Sequence, residues 1–124
     1  MNKTYQDLDL YKASMELVVA VYKATQSFPS HELYGLSSQI RRCAVSIPSN
    51  IAEGSGRRNK KEFIQFLSIA NGSLSELETQ LEIARLLEYL NDTTENNKRI
   101  RYIRSMLSGL IAYLKGEKEP SKTS

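Results

Sequence analysis

The chain has 124 residues, of which 40% are hydrophobic and 25% are charged, and its net charge is +3. This is the size and composition of one soluble domain. Its single cysteine and single histidine exclude an internal disulfide framework and argue against a His/Cys zinc site within one chain. No apolar run approaches the roughly 18 residues of a membrane-spanning helix, and the N-terminal residues lack the apolar core of a secretory signal, so we predict a cytoplasmic protein with no cofactor, metal or membrane partner.

The first predicted helix covers about residues 8–27, after a flexible start over residues 1–6, and Asp7 or Asp9 is expected to cap it. It has two apolar rows at helical spacing. One row is Leu8, Tyr11, Met15, Val18 and Tyr22, and the other is Leu10, Leu17, Val21, Ala24 and Phe28. Two rows imply burial on two sides, either in a central position or at a subunit contact. The small size of the domain favours the subunit contact.

The second predicted helix covers about residues 36–53 and also has two faces. The apolar face consists of Ile40, Cys43, Ile47 and Ile51, and the polar ridge beside it consists of Gln39, Arg42, Ser46, Asn50 and Glu53. Pro48 removes a backbone donor inside this helix and predicts a kink. Gly54 and Gly56 are expected to end the helix.

The third predicted helix covers about residues 60–90 and has the strongest pattern in the chain. Its apolar residues alternate at spacings of four and three without a break: Phe63, Leu67, Ala70, Leu74, Leu77, Leu81 and Ala84. Asn59 and Glu62 predict a capping box at its start. We expect Gly72 to permit a close helix crossing near Pro48.

The fourth predicted helix covers about residues 93–114, and Asp92 and Glu95 predict a second capping box at its start. The polar tail over residues 116–124 is predicted to be disordered. Short links between four amphipathic helices predict an all-α fold. The specific expectation is an antiparallel up-down-up-down four-helix bundle over residues 7–115.

The polar ridge of the second helix, together with Glu76, is a first candidate site: Arg42, Ser46, Asn50, Glu53 and Glu76. We interpret it as a structural polar network joining helices 2 and 3, in which Arg41 or Arg42 pairs with Glu53 or Glu76. Catalysis would need a poised acid, base or nucleophile, and none is evident. Cys43 is interpreted as a core residue and His31 as a surface group, so we predict no enzyme.

Four cations between helices 2 and 3 form the stronger functional candidate: Arg57, Arg58, Lys60 and Lys61. Positive charge at a helix N-terminus opposes the helix macrodipole, whereas a phosphate would accept hydrogen bonds from the free N–H groups there. We therefore predict binding to an RNA or DNA backbone. No aromatic residue interleaves this run, so base stacking is not expected from it. A solvated helix start is the alternative.

Two runs resemble a known family: residues 34–54, YGLSSQIRRCAVSIPSNIAEG, and residues 63–81, FIQFLSIANGSLSELETQL. They resemble the bacterial four-helix-bundle proteins encoded in intervening sequences of large-subunit ribosomal RNA genes. The likeness extends from about Leu8 to Leu114, and the common form of the first run has alanine in place of Cys43. The resemblance implies a cytosolic bacterial protein that assembles as a ring-like homopentamer, with no known reaction.

More distantly, the chain resembles the accessory proteins of diversity-generating retroelements, which are pentameric barrels that bind nucleic acid and a reverse transcriptase. The expected partners are therefore further copies of the chain, RNA or DNA, and a reverse transcriptase by distant analogy. We predict a non-enzymatic homo-oligomer that binds nucleic acid. The alternative is a structural or protein-interaction module in which the apolar second face of helix 1 docks another protein.

Overall fold

The computed structural model describes residues 8–116, which form four α-helices and contain no strand. The helices are α1 (Asp9–Thr25), α2 (Leu36–Ser55), α3 (Lys60–Leu86) and α4 (Thr94–Leu114), with a 3₁₀ turn at Ser30–Glu32. The predicted all-α class with four helices is confirmed. The predicted flexible start and residues 117–124 of the predicted tail lie outside the described residues. None of the described helices has the length and apolarity needed to cross a membrane.

Each helix buries one row of apolar side chains in a common core. Helix α2 packs on α1 and α3, and α4 packs on α1 and α3. The largest fully buried side chains are Leu17, Val21, Ile40, Ile47, Ile51, Leu67, Leu74, Leu77, Leu81, Ile100, Ile103 and Leu107. Burial of each such side chain contributes about 1.5–3 kcal/mol. In α1 the row with Leu17 and Val21 faces the core, whereas Met15 and Tyr22 of the other row are exposed.

Helices α2 and α3 approach each other closely at Gly54, in the last turn of α2. A Cβ atom added at Gly54 would lie 2.7 Å from the Cβ of Phe66 and 3.0 Å from the Cδ1 of Phe63. The close crossing expected at Gly72 is wrong, because Gly72 is exposed and a Cβ added there would meet nothing within 4 Å. Gly72 lies outside the apolar row of α3 and therefore on its solvent side.

The helix starts agree only partly with the capping predictions. The cap at Asn59 is confirmed, since its Oδ1 accepts a hydrogen bond of 2.9 Å from the backbone N–H of Glu62. Helix α1 begins after Leu8 with no side-chain cap, which places Asp9 inside the first turn; Asp7 lies outside the described residues. The N-cap residue of α4 is Thr93, which makes no side-chain cap hydrogen bond, and the predicted cap Asp92 binds the first residue of the helix instead. Its Oδ1 accepts hydrogen bonds from the N–H and hydroxyl of Thr94, which lower the pKa of Asp92.

Helix α3 ends at Leu86, four residues before the predicted end, because the backbone reverses at Glu88. Glu88 has a φ of 67°, and its N–H donates to the carbonyl of Arg85 at 2.9 Å. The N–H of Tyr89 donates to the carbonyl of Ala84 at 2.9 Å, which completes a Schellman motif. The Tyr89 ring then packs against Phe28, with ring centroids 5.3 Å apart. This aromatic contact fixes the chain reversal after α3.

Glycine at position 88 is expected to stabilise the protein, because only glycine adopts the left-handed conformation without a steric penalty. We expect Glu88→Gly to raise the free energy of unfolding by roughly 1 kcal/mol, measured by denaturant unfolding. Gln65→Gly, at an exposed position inside α3, is the control and should lower it by roughly 1 kcal/mol. A loss of stability in both variants would contradict the assignment of strain to Glu88.

Candidate functional site

The four predicted cations lie in the link between α2 and α3 and in the first turn of α3. One of them, Arg57, is held in place by contacts with its neighbours. The Nη2 of Arg57 forms an ion pair of 2.5 Å with the Oε2 of Glu53, one helical turn earlier. The same guanidinium lies 4.7 Å above the centre of the Phe66 ring. Because Glu53 compensates its charge and Phe66 covers one face, Arg57 is the least available cation of the four.

The other three cations, Arg58, Lys60 and Lys61, are exposed and form no ion pair with any residue between 8 and 116. Lys60 and Lys61 are the first two residues of α3, and Glu62 is the one acidic residue in its first turn. Asn59 caps the N–H of Glu62, which leaves the N–H groups of Lys60 and Lys61 available to an external acceptor. We call these three side chains the basic turn. Its charge adds to the positive end of the α3 dipole.

The polar ridge of α2 takes part in the crossing with α3 through its smallest member. The hydroxyl of Ser46 lies 2.7 Å from the hydroxyl of Ser73 in a hydrogen bond and 2.6 Å from the carbonyl of Cys43. One turn later, the Nδ2 of Asn50 donates to the carbonyl of Ser46 at 2.7 Å. These bonds connect two members of the predicted network, Ser46 and Asn50, to the α2 backbone and to α3.

The charged members of that network lie apart. Arg42 is exposed and pairs with neither Glu53 nor Glu76. Glu53, in the last turn of α2, instead binds Arg57, which lies just after the end of that helix. Glu76 accepts from Gln80 of its own helix at 3.4 Å. The expected ion pairs between α2 and α3 therefore do not form.

Cys43 is buried, as interpreted from its position in the apolar row. Its thiol donates a hydrogen bond of 3.1 Å to the carbonyl of Ser73. Burial, with a smaller contribution from the Glu76 carboxylate, raises the pKa of Cys43 to about 12. The thiol is therefore not ionised at neutral pH and is a poor nucleophile. His31 is exposed, and its ring lies at the edge of Tyr89.

A groove that the sequence did not predict lies between α1, the 3₁₀ turn and the first half of α2. It has a volume of about 660 Å³. It is lined by Tyr22, Leu33, Tyr34, Ser38, Arg41, Arg42, Val45 and Ser46, and we call it the Tyr34 groove. Two lining residues are arginines and none is acidic. In the sequence, the groove is indicated only by Tyr34, which lies before Gly35 and belongs to neither apolar row of the first predicted helix.

Arg41 is the fixed member of the Tyr34 groove. Its Nε donates to the hydroxyl of Thr25 at 2.7 Å, and its guanidinium lies 4.7 Å above the centre of the Tyr22 ring. Among the described residues, its terminal nitrogens have no hydrogen-bond acceptor. The groove thus has an oriented guanidinium from Arg41 and an exposed one from Arg42.

Within residues 8–116, no three His, Cys, Asp or Glu side chains come together in a way that could hold a metal ion. The fold and the basic turn define a small all-helical protein with three exposed cations at the start of the longest of its described helices. The model of the family described as 23S rRNA-intervening sequence protein matches residues 6–109. The chain belongs to this family, as its two motifs indicated. A comparison with curated proteins finds no match.

Proposed function

We propose that this protein is a non-enzymatic, homo-oligomeric four-helix bundle that binds the phosphate backbone of RNA or DNA through the basic turn. The observation that carries the proposal is the exposure of Arg58, Lys60 and Lys61 at the start of α3 without a carboxylate partner among the described residues. This arrangement costs stability, because carboxylates and not cations suit that end of a helix. A bound phosphate would be attracted both by these cations and by the positive end of the α3 dipole, and would therefore offset this cost.

Side-chain contacts support an antiparallel arrangement of neighbouring helices in this bundle. The end of α1 contacts the start of α2 through Thr25 and Arg41, and the end of α2 contacts the start of α3 through Gly54 and Phe66. The link between α2 and α3 is short, covering residues 56–59, and the longer link between α1 and α2 contains the 3₁₀ turn. In such a bundle, successive helices run in opposite directions.

An exposed apolar row on α1, made of Met15 and Val19, supports assembly with further copies of the chain. Met15 and Val19 are large apolar side chains one turn apart on α1, and each is exposed in the single chain. A second copy would remove this surface from water. The number five is what the resemblance implies. A ring of five would carry about fifteen cations in its basic turns, which would make nucleic-acid binding strongly salt-dependent.

The test is charge reversal in the basic turn. We expect Arg58→Glu/Lys60→Glu/Lys61→Glu to bind a labelled single-stranded RNA and a duplex DNA at least about tenfold more weakly than the wild type at about 50 mM salt. The control, Lys98→Glu/Arg101→Glu/Lys115→Glu, makes the same change in net charge at exposed positions in and just after α4. It should bind much as the wild type does.

Two outcomes would contradict the proposal: no binding by the wild type at low salt, or equal losses in the two triple variants. Light scattering on the same samples tests the assembly, since a mass near 14.1 kDa would be that of one chain.

The second candidate is a protein-interaction module, which is favoured by the same exposed apolar row of α1. A reverse transcriptase is the partner that distant analogy offers. Recovery of one defined protein from nuclease-treated lysate, lost in Val19→Asp, would favour this candidate if neither RNA nor DNA binds the purified chain.

A further inference from the structure

We infer that the Tyr34 groove binds an unpaired nucleotide of a single-stranded nucleic acid, with its base stacked on Tyr34 and its phosphate held by Arg42. The inference rests on the proposed function and makes it more specific. The basic turn alone would contact phosphates of either a single strand or a duplex, whereas this groove would distinguish the two.

Tyr34 is presented to solvent from an ordered backbone. Its side chain is 93% exposed, although Leu33 and Gly35 on either side donate backbone hydrogen bonds of 3.1 and 2.9 Å to the 3₁₀ turn. Glu32 accepts from the N–H of Leu36 at 2.9 Å and from the hydroxyl of Tyr89 at 2.8 Å. These bonds hold the backbone on both sides of Tyr34, so only the two torsions of its side chain have to be ordered when a base stacks on the ring.

The charge of the groove selects an anionic occupant. Arg41 and Arg42 line it without any acidic residue, and neither forms an ion pair with a described side chain. Arg42 is exposed, whereas Arg41 is fixed by Thr25 and the Tyr22 ring. A ligand with both a planar ring and a negative charge can stack on a tyrosine and bind an arginine of the groove at the same time. A nucleotide has both, and proteins that bind single strands combine stacking platforms with cations in this way.

The groove and the basic turn are connected along one face of α2. Arg42, Ser46, Asn50 and Glu53 follow each other at helical spacing, and Glu53 binds Arg57 beside the basic turn. Arg42 and Glu53 are about 16 Å apart along the helix axis. A flexible single strand can contact both ends of this face. A duplex can contact the basic turn, but its bases are paired inside the helix and cannot stack on Tyr34.

The experiment compares one single-stranded RNA of roughly 12 nucleotides with a duplex DNA of similar length. We expect Tyr34→Ala to weaken binding of the single strand roughly five- to a hundredfold and to leave duplex binding unchanged. Tyr102→Ala, at a 58% exposed tyrosine on α4, is the matched control and should change neither. An abasic strand should bind the wild type as weakly as the normal strand binds Tyr34→Ala.

A fluorescence readout reports stacking directly. The chain contains no tryptophan, so Tyr34→Trp places a single indole at the groove, and it can be excited at wavelengths that the tyrosines do not absorb. Its emission should be quenched by the single-stranded RNA and should not change with the duplex or with the abasic strand.

The outcomes separate the two proposals. If the basic-turn variant loses binding while Tyr34→Ala keeps its full affinity for single strands, the groove inference fails and the proposed function stands. If the wild type binds neither probe, the proposed function fails. Quenching of the tryptophan by a glutamate-rich peptide and not by the RNA would assign the groove to an acidic protein partner and overturn the inference.

Discussion

Gly54→Val is expected to lower the free energy of unfolding by about 3 kcal/mol, because the new side chain would have to occupy space that α3 already fills. A Cβ atom at position 54 alone would lie 2.7 Å from the Phe66 Cβ, and that atom is fixed directly to the α3 backbone. Relief therefore requires the start of α3 to move away from α2. Because α3 begins with the basic turn, the same shift would displace its cations.

Gly72→Val is the matched control, since the same side chain at position 72 meets nothing within 4 Å of its Cβ. Valine and glycine differ by only about 0.5 kcal/mol in helix propensity, so stability should change little. Both variants would be compared by denaturant unfolding monitored by circular dichroism. A small effect at Gly54 together with a large one at Gly72 would place the close contact of α3 on its opposite face.

Ile47→Ala is expected to lower the free energy of unfolding by roughly 2–5 kcal/mol, through lost burial and the cavity that remains. Ile47 is fully buried on α2, next to Pro48, which is also buried. A proline leaves the local backbone few ways to relax into the cavity. We therefore expect a value in the upper part of that range.

Ile69→Ala makes the same chemical change on the outside of α3, where the side chain is 52% exposed. It should alter stability by no more than about 0.5 kcal/mol. Equal losses at Ile47 and Ile69 would contradict the burial pattern of the single chain. They would show that another chain covers the face of α3 that carries Ile69.

The helices could be predicted because their signals are local and repeated. The apolar row from Phe63 to Ala84 determines which face of α3 is buried, and Asn59 marks its start with a side chain that caps the helix. The end of α3 could not be predicted in the same way. Glu88 is a poor choice for a left-handed conformation, and it is held there by hydrogen bonds to α3 and by the packing of Tyr89 on a ring 61 residues earlier in the chain.

The basic turn and the Tyr34 groove also differ in whether their residues are neighbours in the sequence. The basic turn is contiguous in sequence, so its charge was visible without any knowledge of the fold. The Tyr34 groove brings Tyr22 of α1 together with Arg42 of α2, and only the packing of those two helices creates it. The position of Gly72 did carry a usable signal, because it falls outside the apolar row that its neighbours Ala70 and Leu74 define.

The buried thiol of Cys43 has a practical consequence for spectroscopy. Because burial raises the pKa of Cys43 to about 12, almost no thiolate is present at pH 7, and a maleimide reagent is expected to react with it slowly. The natural chain can therefore serve as an unreactive background, with no need to replace its own cysteine. A new cysteine at an exposed position such as Lys61 could then be labelled selectively, and distances measured between labels in solution would test whether copies of the chain assemble as proposed.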